Sequence, residues 1–150
     1  MRFPKPLLIA AILCLMLTAC QFNLTRKNRR IDKEAAEQIT NRLFLSLERK
    51  NYNAADTLFS KSFYKDWSKK KLNGIFETTV DQLGEIQDID LVDCQTSVVT
   101  GTNSSSEYAF LYKVRYQYYS GLVTIHLIKD PDGEIRVDDY SVKSDGLDNK

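Results

Sequence analysis

Apolar residues fall into three regimes along this chain. Residues 7–16 are an unbroken apolar run. From Asp32 the spacing turns helical: Ala35, Ile39, Leu43 and Leu47 recur every four residues, and Ala36 and Phe44 widen the stripe. This predicts an amphipathic helix capped by Asp32 and ending at Lys50-Asn51. A second helix is expected from Asn53, where Asp56 follows at the spacing of a capping box. Its apolar face would be Ala55, Leu58 and Phe59, with Phe63 after it. Ser68 is placed to cap a third helix whose Leu72, Ile75, Phe76, Thr79 and Leu83 share a face, and Gly84 suits a left-handed stop. Beyond Gly84 the period becomes two, which predicts four strands near 85–98, 107–119, 122–129 and 134–143.

The turns set an expected register. Ser120-Gly121 reads as a two-residue hairpin loop. Asp130-Pro131-Asp132-Gly133 reads as a type I turn closed by a Gly bulge, and it lacks calcium-loop spacing. In the first strand the phase is ambiguous, Ile89 and Leu91 against Val92 and Cys94, as a bulge would produce. A two-residue loop pairs Tyr119 with Leu122 and hence Arg115 with His126 on one face. On the other face it pairs Tyr116 with Ile125 and Val114 with Leu127. The second face is the more apolar, so Tyr108, Phe110, Tyr112, Val114, Tyr116 and Tyr118 are expected against the helices. A three-residue loop at 131–133 pairs Leu127 with Val137, His126 with Asp138 and Ile125 with Asp139, which puts Asp139 on the aromatic face.

Two candidate surfaces follow. A carboxyl among tyrosines would have a raised pKa and could act as a base or hold a ligand. Tyr108, Tyr112, Tyr116 and Asp139 are therefore a candidate pocket, with a filled aromatic core as the competing reading of the Tyr row. On the opposite face Leu111, Tyr119, Leu122, Ile128, Tyr140 and Val142 should emerge among Lys113, Arg115 and His126. That apolar patch is a candidate interaction face, for a protein partner or a second copy of the chain.

Composition and charge narrow the classes. The 150 residues suffice for one domain, and the net charge of +1 leaves no field to attract nucleic acid. His126 is the sole His, so neither a metal site nor a cofactor is indicated. Residues 1–6 carry Arg2 and Lys5, and the apolar run behind them falls short of the ~20 residues a spanning helix needs. With Leu17-Thr18-Ala19-Cys20 after it, the amino terminus reads as a secretory signal. Cys14 would leave with it, and Cys94 reads as an inert strand Cys. Residues 21–30 are polar, with Arg26, Lys27, Arg29 and Arg30 close together. They read either as a solvated spacer or as a tether touching anionic headgroups.

Leu17-Thr18-Ala19-Cys20 resembles the lipobox of bacterial lipoproteins, which implies that Cys20 is lipidated and becomes the mature amino terminus. By the same resemblance Gln21, rather than Asp, favours the outer membrane in a host that has one. Residues 51–59 (Asn51-Tyr52-Asn53-Ala54-Ala55-Asp56-Thr57-Leu58-Phe59), Leu83-Gly84, 112–116, Gly121, Asp132-Gly133, 135–137 and Tyr140 together resemble the NTF2-like, or cystatin-like, superfamily. That resemblance implies an α+β cone of about three helices on a curved four-stranded antiparallel meander. The expected organisation is a signal peptide at 1–19, lipidated Cys and tether at 20–31, the domain at 32–144 and a tail at 145–150. The expected function is a non-enzymatic, membrane-anchored binding or interaction domain of the cell envelope. The alternatives are a small-ligand pocket or an NTF2-like isomerase or dehydratase using Asp139.

Overall fold

In chain order the elements are β1 (Asn23–Lys27), α1 (Arg30–Glu48), α2 (Tyr52–Asp56), α3 (Phe63–Asp66), α4 (Lys69–Leu83), β2 (Ile86–Gly101), β3 (Ser105–Tyr116), β4 (Ser120–Lys129) and β5 (Ile135–Lys143). They come from a computed structural model in which residues 23–147 are described. The expected signal peptide, Cys20, Gln21 and residues 148–150 lie outside the described residues. The fold is α+β: one antiparallel sheet in the order β1-β2-β3-β4-β5, whose inner face shares a core with the helices. No described helix is long and apolar enough to cross a membrane.

The helices form for local reasons. α1 buries Ala36, Ile39, Thr40, Leu43, Phe44 and Leu47, a stripe at helical spacing. It begins before Asp32, and its N-cap Arg29 supplies no side-chain hydrogen bond. α2 is capped by Asn51 rather than Asn53: the Asn51 carboxamide oxygen accepts the Ala54 N–H at 3.2 Å. Ser68 caps α4, accepting the Lys71 N–H at 3.2 Å. Gly84 then ends α4 at φ +86°, and a Cβ there would lie 2.5 Å from Gln117 Cβ, so both backbone and space call for Gly.

The sheet departs from expectation in three places. The stretch read as a spacer contains a strand: β1 pairs antiparallel with the end of β2, from Asn23 opposite Gly101 to Lys27 opposite Ser97. Among the described residues the sheet therefore has five strands, one of them from the stretch expected to be a tether.

The β3–β4 connection is also longer than the expected two-residue loop. Tyr116 N–H donates to Tyr119 O at 2.8 Å, and Ile125 pairs with Phe110 where Tyr116 was expected. That slip is an even number of residues along β3, so each side chain keeps its face. Tyr108, Phe110, Tyr112, Val114 and Tyr116 are buried, whereas Tyr118 falls in the loop at 63 % exposure.

The third departure flips faces. Leu127 pairs with Val137 as expected, but His126 pairs with Asp139 and Ile125 with Tyr140. Asp138 is thus left out of the ladder as a bulge. Its carboxylate accepts the hydroxyls of Ser60 and Ser62. The segment before α3 also adds to the open edge of β5: Val137 N–H donates to Leu58 O at 2.9 Å, and Ser60 N–H to Val137 O at 2.8 Å. One residue of offset turns Asp139 outward and Tyr140 inward.

Candidate functional site

The inner face is a packed aromatic and aliphatic core. Tyr112 packs edge-on against Phe44 at 4.9 Å between ring centroids and stacks on Phe110 at 6.0 Å. The Tyr112 hydroxyl lies 2.6 Å from Thr40 Oγ1, and burial pushes its pKa up to about 12. Tyr108 is buried with Ser106 as its hydrogen-bonding neighbour. The three candidate pocket tyrosines border three different recesses: Tyr108 an open groove of about 590 Å³, Tyr112 an open groove of about 410 Å³ beside Phe44 and Leu91, and Tyr116 a more enclosed cavity. That cavity holds about 70 Å³, and Leu47, Tyr52, Phe76, Ile86 and Tyr140 help to line it. Burial holds both the Tyr116 and Tyr140 phenols well above their ordinary range. Over the opening Lys50 pairs with Glu85 at 2.9 Å, an exposed bond that raises the lysine and lowers the carboxylate.

Asp139 does not join Tyr112 or Tyr116, but it shares the open groove that Tyr108 and His126 help to line. The bulge at Asp138 places it exposed on the outer face, opposite His126, so it cannot be a buried base in the cavity. Two carboxyls are buried among the described residues: Asp130, which pairs with Arg136 at 2.9 Å, and Asp56, 3 % exposed, with one oxygen that finds no hydrogen-bond partner. Burial raises its pKa, against the pull of the Lys69 charge and the Asn73 side chain. Sequence reasoning had assigned Asp56 to a helix cap; only the position of Asn51 as the true cap could have released it.

The outer face is built from cross-strand rows. One row runs Asp90, Lys113, Leu122 and Lys143 across β2 to β5; the next runs Asp93, Leu111, Thr124 and Ser141. A third holds Gln95, Ala109, His126 and Asp139, and a fourth contains Ser97, Glu107, Ile128 and Arg136. At the end of the sheet Asp88 lies opposite Arg115, and their side chains pair at 3.5 Å. Two bulges in β2, after Ile86 and after Leu91, keep Asp88, Asp90 and Asp93 in one acidic column. The second is the bulge that the ambiguous phase anticipated; its residue, Val92, is 57 % exposed.

The six-residue candidate interaction face divides. Leu111, Leu122 and Ile128 are on the outer face, with Leu122 44 % exposed. Tyr119 is exposed but in the β3–β4 loop, against Gly146. Tyr140 and Val142 are corrected to the inner side, because the Asp138 bulge shifts them by one: Tyr140 is buried against Phe76 and Val142 packs on the core. His126 is exposed between Ala109 and Asp139, rather than between Arg115 and Asp138. Cys94 is half-buried on β2, and burial raises its thiol.

The outer face thus carries Asp88, Asp90 and Asp93 on β2, Lys113 and Arg115 next to them on β3, and the aliphatic Leu122 and Ile128 on β4. Among the described residues no three His, Cys, Asp or Glu side chains converge as a metal-binding group. Comparison with family models, curated proteins and solved structures finds no match to this chain.

Proposed function

We propose that this protein is an envelope lipoprotein anchored through acyl chains on Cys20, whose NTF2-like domain is a non-enzymatic interaction module that pairs with a second copy through the outer sheet face. The observation that carries the pairing is the row Asp90, Lys113, Leu122, Lys143, acidic at one end and basic at the other. A two-fold axis along the strands, between β3 and β4, lays β2 of one copy over β5 of the other. Asp90 then meets Lys143 of the second copy twice over, while Leu122 covers the stem of Lys113. Such isologous contacts are how most closed dimers form. Opposite charges facing across the contact fix register and disfavour wrong partners.

The small-ligand reading has less support. Pockets for drug-sized ligands are enclosing spaces of roughly 300–1,000 Å³; the cavity beside Tyr116 holds only about 70 Å³, and the recess of about 590 Å³ lined by Tyr108 and Asp139 is an open groove. An enzyme using Asp139 loses its base to the outer surface. A charge swap tests the pairing. Asp90→Lys alone and Lys143→Asp alone should each weaken self-association about tenfold, and the double variant should regain it. Single variants that associate like the wild type would count against this interface.

A further inference from the structure

Cys20 is only three residues before Asn23, and three residues of fully extended chain reach about 11 Å at most. The stretch that would otherwise separate lipid from domain is itself the edge strand β1, paired along its length with β2. A domain anchored at Cys20 is therefore held against the bilayer by its β1 edge and has no slack with which to swing away.

The surface found at that edge fits such a neighbour. Leu24 is 52 % exposed and Ile31, in the first turn of α1, is 67 % exposed, two of the largest apolar exposures among the described residues. Lys27, Arg29 and Arg30 are exposed around them. The acidic groups of this region are already engaged: Arg26 lies 3.9 Å from the half-buried Asp32, and Arg30 pairs with Glu34 at 3.2 Å on a side chain 91 % exposed. Lys27 and Arg29 carry charge that no described acidic group pairs. Exposed aliphatic side chains among free cations suit an interface of headgroup phosphates over acyl chains.

We propose that the β1 edge and the first turn of α1 form a lipid-facing surface, with Leu24 and Ile31 at headgroup depth and Lys27, Arg29 and Arg30 against anionic phosphates. This rests on the anchoring of Cys20. It fixes an orientation: the sheet stands on its β1 edge, and strands spaced about 4.8 Å apart carry β5 roughly 19 Å from β1, up and away from the bilayer. The outer face is then perpendicular to the membrane, and the two-fold axis of the proposed pairing lies parallel to the bilayer, so that pairing joins copies whose β1 edges point in opposite directions.

The test uses the mature lipoprotein in vesicles of phosphatidylglycerol and phosphatidylcholine brominated near the headgroup, after its intact mass has been measured. Trp67, the sole Trp, sits after α3 at the β5 side of the fold and is the internal control. Its emission should be unchanged by brominated lipid, whereas Leu24→Trp and Ile31→Trp in a Trp67→Phe background should be quenched at least twofold. Lys27→Gln with Arg29→Gln should lower the docked fraction by about fivefold for each charge removed. An acylated protein that floats with the vesicles yet shows no quenching at positions 24 and 31, or equal quenching at Trp67, would overturn the proposed orientation alone. An intact mass without acyl chains on Cys20 would overturn the anchoring as well.

Discussion

Asp138 accepts a hydrogen bond from the Ser60 hydroxyl, and that contact holds in place the one β5 residue that the β4 ladder leaves unpaired. Ser60 is fully buried, and its Oγ also accepts the Phe63 N–H at 2.9 Å, so the same serine fixes the start of α3 and the bulge of β5. Ser60→Ala should cost about 2 kcal/mol, because it removes a charge-assisted bond and strips the Phe63 N–H of its acceptor. Urea denaturation followed by circular dichroism measures it. A change below about 0.5 kcal/mol would mean that Ser62 and the backbone pairing hold the bulge without the Ser60 hydroxyl.

Across the core, Tyr112 and Thr40 tie β3 to α1 through a buried 2.6 Å hydrogen bond. Thr40→Val keeps the shape and removes the hydroxyl, leaving the phenol without its partner. The expected loss is about 1–2 kcal/mol. Tyr112→Phe with Thr40→Val should recover part of it, since removing both polar groups leaves nothing unsatisfied. A double variant worse than the sum of the singles would refute that account.

Asp56 should make the protein pH-sensitive in a defined direction. Its folded pKa is raised by burial, so between the ordinary carboxylate value and the raised one the folded state binds the extra proton. Its contribution therefore falls as pH rises through that window and stays unfavourable at neutral pH. Glu85 and Asp132 are lowered and act in the opposite sense, so wild-type stability alone does not isolate Asp56. The difference between Asp56→Asn and wild type does. The variant should be the more stable by about 1 kcal/mol at neutral pH, with the advantage vanishing as the medium is acidified. Denaturation midpoints across that range give the comparison.

Cys20→Ala should move the protein from the membrane to the soluble fraction of cells, with the fold of residues 23–147 intact by near-ultraviolet circular dichroism. A variant that still pellets with membranes would remove the lipid anchor from the account.

The helices and the faces of the central strands were legible in the sequence because they follow from periodicity. Ile39, Leu43, Phe44 and Leu47 mark α1, and the alternation from Tyr108 to Tyr116 marks the inner face of β3. That face survived a wrong loop length only because the slip was even. β1 was illegible: Asn23-Leu24-Thr25-Arg26-Lys27 shows no alternating burial, being an edge strand exposed at most positions and paired on one side. The candidate pocket came apart in two ways: its tyrosines border separate recesses, and Asp139 turned outward. Nothing local to β5 announces the bulge at Asp138, whose partners Ser60 and Ser62 come from a loop more than seventy residues earlier. The acidic column on β2 depended likewise on where two bulges fall.

The measurement that bears most directly on the proposed function is sedimentation equilibrium of the mature lipoprotein in detergent micelles, for wild type and Leu122→Glu. The account predicts a wild-type dimer at micromolar concentration. It predicts that Leu122→Glu, a change at an exposed position, weakens association by about 2 kcal/mol or more while leaving the circular dichroism spectrum unchanged. A wild-type monomer at that concentration, or a Leu122→Glu variant that dimerises as well as wild type, would contradict it.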